Sequence, residues 1–81
     1  MPYIEKSLRE ILDLGVVNPV TPGDLNYVIT KLVLKYLGDK PNYTMYNSAI
    51  GALECCKLEL YRRKISNYED EKCDLNGDVY V

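Results

Sequence analysis

The stretch that decides the fold is Thr21-Pro22-Gly23-Asp24-Leu25-Asn26-Tyr27-Val28-Ile29-Thr30-Lys31-Leu32-Val33-Leu34-Lys35-Tyr36-Leu37-Gly38. Its start is marked three times over. Thr21 can accept a backbone N–H as an N-cap, Pro22 fits the first helical position, and Asp24 sits near the positive end of the helix dipole. Leu25, Val28, Ile29, Leu32 and Tyr36 follow at i, i+3, i+4, i+7 and i+11, the spacing of one helical face. Gly38 stands where a helix stops in a left-handed residue. A helix from Pro22 to Leu37 follows from these signals.

Two more segments lie outward from it. On the N-terminal side, Ile4, Leu8, Ile11 and Leu12 recur at helical spacing, and Gly15 closes a short helix from about Glu5 to Leu14. A helix of that length is marginal alone and must dock on something. Val16 to Val20, broken by Asn18-Pro19, reads as an extended connector. On the C-terminal side, Gly38-Asp39-Lys40-Pro41-Asn42 is a turn by composition. The proline-free run from about Tyr43 to Lys72 then places Tyr46, Ala49, Ile50, Leu53, Cys56, Leu60 and Tyr61 on one face. Unbroken, that helix would span roughly 45 Å. Ser66-Asn67, two poor interior helix residues, mark where it would bend or break. The tail, with its Asn76-Gly77 turn signal and Val79-Tyr80-Val81, reads as a short β-prone end. The expected architecture is all-α: a single small helical domain over residues 1–81, with two main antiparallel helices and a short N-terminal helix.

Apolar groups also lie off the principal stripes. Tyr27 and Leu34 project about opposite to Leu25, and Leu58 and Ile65 fall outside the main arc of the long helix. With 81 residues, three helices cannot cover both long ones completely, so self-association into a homo-oligomer is the expectation. The plainer alternative is scattered exposed hydrophobes, normal on any protein surface.

Composition removes whole classes of chemistry. There is no His, which excludes Ser-His-Asp and Cys-His catalysis, His-ligated zinc and an imidazole proton switch. The formal charge is -2, giving no reason to expect strong sequence-independent attraction to nucleic acid. The three cysteines are odd in number, and Cys55 and Cys56 are neighbours whose side chains diverge on a helix. They form neither a disulfide framework nor Cys-x-x-Cys spacing, so no metal site is expected. Cys56 reads as a small core residue. Met1 to Lys6 carries no signal-peptide run, and no window approaches 18 apolar residues. A reducing cytoplasm fits these features. No Gly-rich phosphate loop or nucleophile elbow is present, no cofactor is implied, and catalysis has no evident agent. The expectation is a non-enzyme.

The candidates for binding are few. Arg62-Arg63-Lys64, with Lys57 one to two turns earlier, is the basic cluster. Arg62 and Arg63 should point in different directions, so both serve one flat phosphate only if two faces matter. Arg suits bidentate grip on carboxylate or phosphate and stacking on rings. The competing reading is structural: Glu59 precedes Arg63 by four and Glu54 precedes Lys57 by three, giving helical ion pairs. All eight aromatic residues are Tyr. Each pairs a flat apolar face with a hydroxyl, which suits core, interface or base-stacking roles. Asn26-Tyr27 and Tyr61-Arg62-Arg63 are the notable aromatic–polar neighbours. Glu69-Asp70-Glu71, Asp74 and Asp78 lack calcium-loop spacing and read as a solvated acidic face.

The stretches Gly23-Asp24-Leu25-Asn26-Tyr27-Val28-Ile29-Thr30, Tyr46-Asn47-Ser48-Ala49-Ile50-Gly51-Ala52-Leu53-Glu54-Cys55-Cys56-Lys57-Leu58-Glu59-Leu60-Tyr61-Arg62-Arg63, Tyr68-Glu69-Asp70-Glu71-Lys72 and Asn76-Gly77-Asp78-Val79-Tyr80 together resemble a family of small uncharacterised proteins of bacteriophages and bacterial genomes. The resemblance spans roughly residues 22 to 80. It implies a phage-like origin and a shared motif that includes Asn26, Glu54, Arg62, Arg63 and Glu69, and members carrying Pro near positions 66 and 67 favour a helix break there.

The function these features suggest is sequestration of a small anionic ligand, such as a nucleotide-derived immune signal, in pockets between subunits. Arg62 and Arg63 would hold phosphates, Tyr27 or Tyr61 would stack on a base, and Asn26 or Glu54 would read polar edges. The alternative is a protein–protein module that docks a host or phage partner through Leu34, Leu58 and Ile65.

Overall fold

The computed structural model describes residues 2–80, whose regular structure is all helical, with no strand among them. Helix α1 spans Lys6–Asp13, α2 spans Pro22–Leu37 and α3 spans Tyr43–Leu60. A five-residue π-helical turn, Tyr61–Ile65, follows without interruption, and α4 continues over Ser66–Asn76. The chain forms two compact units, Met1–Met45 and Tyr46–Val81.

In the first unit the start of α2 is built as its residues dictate. The Asp24 N–H donates to Thr21 Oγ1 at 3.1 Å, and the Thr21 N–H returns a bond to Asp24 Oδ2 at 3.3 Å. That reciprocal pair is a capping box, here with Asp in place of Glu. The Val20 N–H donates to the same Oδ2 at 3.1 Å. Asp24 is buried, and these bonds hold its carboxyl below the ordinary value of 3.8, the Val20 N–H contributing most. Its other oxygen, Oδ1, is buried without a protein partner. Thr21→Ala removes one of these bonds and should cost the first unit about 1 kcal/mol, read as a shifted urea midpoint. An unshifted midpoint would show that the cap contributes nothing.

Gly15 (φ 74°), Gly38 (φ 71°) and Gly77 (φ 90°) close α1, α2 and α4, each in the left-handed region that penalises a Cβ. The Gly38 N–H bonds to the Leu34 carbonyl at 3.0 Å, and Gly77 does the same to Cys73 at 2.8 Å.

Helix α1 packs on α2, but on an unexpected face. The buried apolar side chains there are Leu12, 6% exposed, and Tyr27, 8% exposed. Leu25, Ile29, Leu32 and Tyr36, the stripe read from the sequence, are exposed. The short α1 covers a narrow arc of α2, and a tyrosine that can hydrogen-bond across the contact wins that arc over the aliphatic stripe.

In the second unit the run from Tyr46 to Asn76 is helical throughout, so Ser66-Asn67 does not break it. The irregularity lies just before, where the Ser66 N–H donates to the Tyr61 carbonyl five residues back. That i→i+5 bond marks a π turn, which holds one residue more than an α turn. Ala49 is buried, whereas Cys56, expected in the core, is exposed, as is Cys55. A lone helix has nothing of its own unit to cover such a residue. Val79 and Tyr80, expected to be β-prone, lie in or beside a turn in which the Tyr80 N–H donates to Asp78 Oδ1 at 2.8 Å. Val81 lies outside the described residues. Among the described residues no helix is long and apolar enough to cross a membrane.

Candidate functional site

The six candidate residues fall into two groups. Asn26 and Tyr27 lie on α2 in the first unit; Glu54, Tyr61, Arg62 and Arg63 lie in the second.

In the first unit Asn26 is exposed, and its Oδ1 accepts the Thr30 hydroxyl at 3.1 Å one turn on. Tyr27 is buried, and its hydroxyl donates to Asp13 Oδ1 at 2.8 Å, fastening the end of α1 to α2. Its pKa is raised above 10.0, first by burial, then by the hydrogen bond and charge of Asp13, with Arg9 pulling the other way. A ring so placed belongs to the helix–helix contact rather than to a stacking surface. Beside it opens a shallow groove lined by Leu12, Asp13, Tyr27, Lys31 and Lys35 among others. Composition did not single out Asp13, Lys31 or Lys35. Spacing could have found the lysines, because 27, 31 and 35 are successive i, i+4 neighbours on one face. The Asp13–Tyr27 bond joins residues 14 apart and carries no local signal.

The second unit corrects the geometry expected of the arginines. Arg62 and Arg63 converge on one carboxylate. Arg62 Nη2 donates to both oxygens of Glu59, at 2.8 and 3.0 Å, and Arg63 Nε donates to Oε1 of the same residue. Their Cα–Cβ vectors diverge, yet both lie one turn above Glu59, at i+3 and i+4, and their long stems close the gap. The two arginines, the Arg63 bond first, hold the Glu59 carboxyl below its usual 4.5. All three side chains are well exposed, so the pairs contribute little to stability. Glu54 is similarly engaged, 3.2 Å from Lys57 Nζ. Tyr61 is exposed immediately before the arginines. The result is a two-guanidinium cradle for a planar or tetrahedral oxyanion, closed internally by Glu59, with an open aromatic ring next to it in sequence.

The sequence signature of a family described as a domain of unknown function, DUF6899, matches residues 1–79. The chain belongs to the DUF6899 family. No curated protein matches it, and no solved structure does. The match takes in α1 through α4 of the DUF6899 chain, so the Glu59–Arg62–Arg63 cradle and the Tyr27–Asp13 clasp both lie inside the family's boundaries.

Proposed function

We propose that this DUF6899 chain is a phage-type accessory binding protein that sequesters a small anionic, nucleotide-derived immune signal in pockets between its subunits, without catalysing a reaction. The observation that carries the reading is the convergence of Arg62 and Arg63 on one carboxylate. Two guanidinium groups that can close on a single oxyanion match a phosphate, and a phosphate's greater charge favours it over Glu59. Tyr61, exposed beside them, supplies a ring for stacking, and Glu54 a polar edge. Asn26 reads a polar edge from another helix. Self-association supplies the concavity that an isolated helix lacks. The host-cell cytoplasm is the compartment where such a signal occurs.

Native mass spectrometry of the chain offered a panel of cyclic dinucleotides tests this directly. Binding by the wild type and loss of about two to four orders of magnitude in affinity for Arg62→Ala/Arg63→Ala is expected, since each charge-assisted bond is worth about 1.5–3 kcal/mol. The oligomer mass should not change. Dissociation of the oligomer in the double variant would make the arginines structural, and failure of the wild type to retain any nucleotide would end the reading.

A second reading has an observation of its own. Leu34 and Leu58 are each more than half exposed, and large apolar side chains on the faces of α2 and α3 would suit the docking of a host or phage protein.

A further inference from the structure

The long helix of the second unit carries an apolar series that its backbone keeps in phase. Tyr46, Leu53, Leu60, Tyr68 and Leu75 are separated by seven, seven, eight and seven residues. Seven residues at about 100° each fall about 20° short of two turns, so a seven-residue repeat holds one stripe. A step of eight would throw Tyr68 and Leu75 about 80° off it. The eight-residue step spans Leu60 to Tyr68, and within it lies the π turn Tyr61–Ile65. A π turn takes up one extra residue. The five side chains therefore form one continuous stripe about 44 Å long, and all five are exposed.

Charge points to the same helix in a second copy as the partner and sets the direction. Residues 57–64 hold Lys57, Arg62, Arg63 and Lys64 against Glu59, net +3. Residues 69–74 hold Glu69, Asp70, Glu71 and Asp74 against Lys72, net -3. Parallel pairing lays like on like, whereas antiparallel pairing about Ser66 lays each block over its opposite.

The same pivot interleaves the C-terminal parts of the two stripes. Inversion about position 66 sets Leu60 opposite residue 72, Tyr68 opposite 64 and Leu75 opposite 57, and all three are lysines. A lysine stem covers an apolar neighbour while its ammonium reaches water or an acidic flank. Lys72 already does this within the chain, its Nζ 5.6 Å from the centre of the Tyr68 ring.

We infer that Leu60, Tyr68 and Leu75, the C-terminal part of the stripe, form the seam of an antiparallel two-fold contact between two copies of this chain, pivoted at Ser66, with Tyr46 and Leu53 beyond the overlap. The inference rests on the self-association in the proposed function and specifies its surface, direction and register.

Three variants of the full chain test it by sedimentation equilibrium, with circular dichroism confirming helicity. Leu58 and Leu60 are matched in exposure, at 56% and 55%, but only Leu60 lies on the stripe. Leu58→Lys should leave the association constant within threefold of wild type. Leu60→Lys should lower it at least tenfold, by setting the introduced ammonium against Lys72 of the partner subunit. Adding Lys72→Glu to Leu60→Lys should restore most of the loss, although positions 60 and 72 are about 18 Å apart along one helix and cannot meet within a chain. A monomeric wild type, equal losses from both leucine variants, or no rescue by Lys72→Glu each overturns the seam. The nucleotide measurement is separate. Assembly without retained nucleotide sinks sequestration and leaves the seam standing; an oligomer that retains nucleotide but is indifferent to Leu60→Lys does the reverse.

Discussion

Leu12→Ala frees α1 from α2. Leu12 and Tyr27 are the buried apolar side chains of the first unit, so the substitution removes half of that small core. Leu-to-Ala changes at buried sites cost about 2–5 kcal/mol, and a single core in so small a chain rarely supplies more than about 3–5 kcal/mol. An eight-residue helix has no stability of its own to fall back on. Hydrogen exchange of the α1 amides should therefore rise to the rate of an unstructured peptide, while the α2 amides, held by the Thr21–Asp24 box, keep more of their protection. Full protection of α1 in the variant would show that Leu12 is not what holds it.

The second large effect is a pH window for the same unit, bounded by two groups with opposite shifts. Asp24 has its pKa lowered by the N–H groups of Val20 and Thr21 and by the Thr21 side chain. Its contribution is complete above its ordinary value of 3.8 and fades as pH falls through the folded value beneath. Tyr27 has its pKa raised by burial and by Asp13. Its contribution is complete below its ordinary value of 10.0 and fades as pH rises through the folded value above. The melting midpoint of the first unit should thus hold between these limits and drop on both sides. Asp24→Asn should flatten the acid limb and Tyr27→Phe the alkaline one, each at some cost within the plateau. Wild-type limbs that survive both substitutions would move the titration to other groups.

Much of the helix placement was legible. Thr21, Pro22 and Asp24 fix the start of α2 through bonds within four residues, and Gly15, Gly38 and Gly77 end helices by a backbone preference of their own. Such signals are local, so they survive without knowledge of the rest of the fold. Which face of α2 is buried was not legible. Hydrophobic spacing favoured Leu25, Ile29 and Leu32, but the decision fell to Tyr27, whose partner Asp13 is 14 residues away. The arginine cradle was half legible. The i+3 and i+4 spacing from Glu59 was visible, but helical direction alone suggested divergence, because it ignores the reach of a guanidinium stem. The π turn had no signature in residue type. It becomes readable only when the eight-residue step in the apolar series is counted.

That turn bears on which changes in chain length this helix can absorb. Gaining or losing one codon is among the harshest alterations an α-helix can suffer, since every side chain downstream swings by about 100°. Here one such surplus residue is already accommodated between Tyr61 and Ile65, in a loosened turn that leaves the register beyond it intact. Deleting one residue inside that turn would return the backbone to regular α-helix with Tyr68 and Leu75 still in line. The same deletion at Gly51 or Asp70 would split the line in two. The helix thus has one place where its length is negotiable, and the two arginines lie within it.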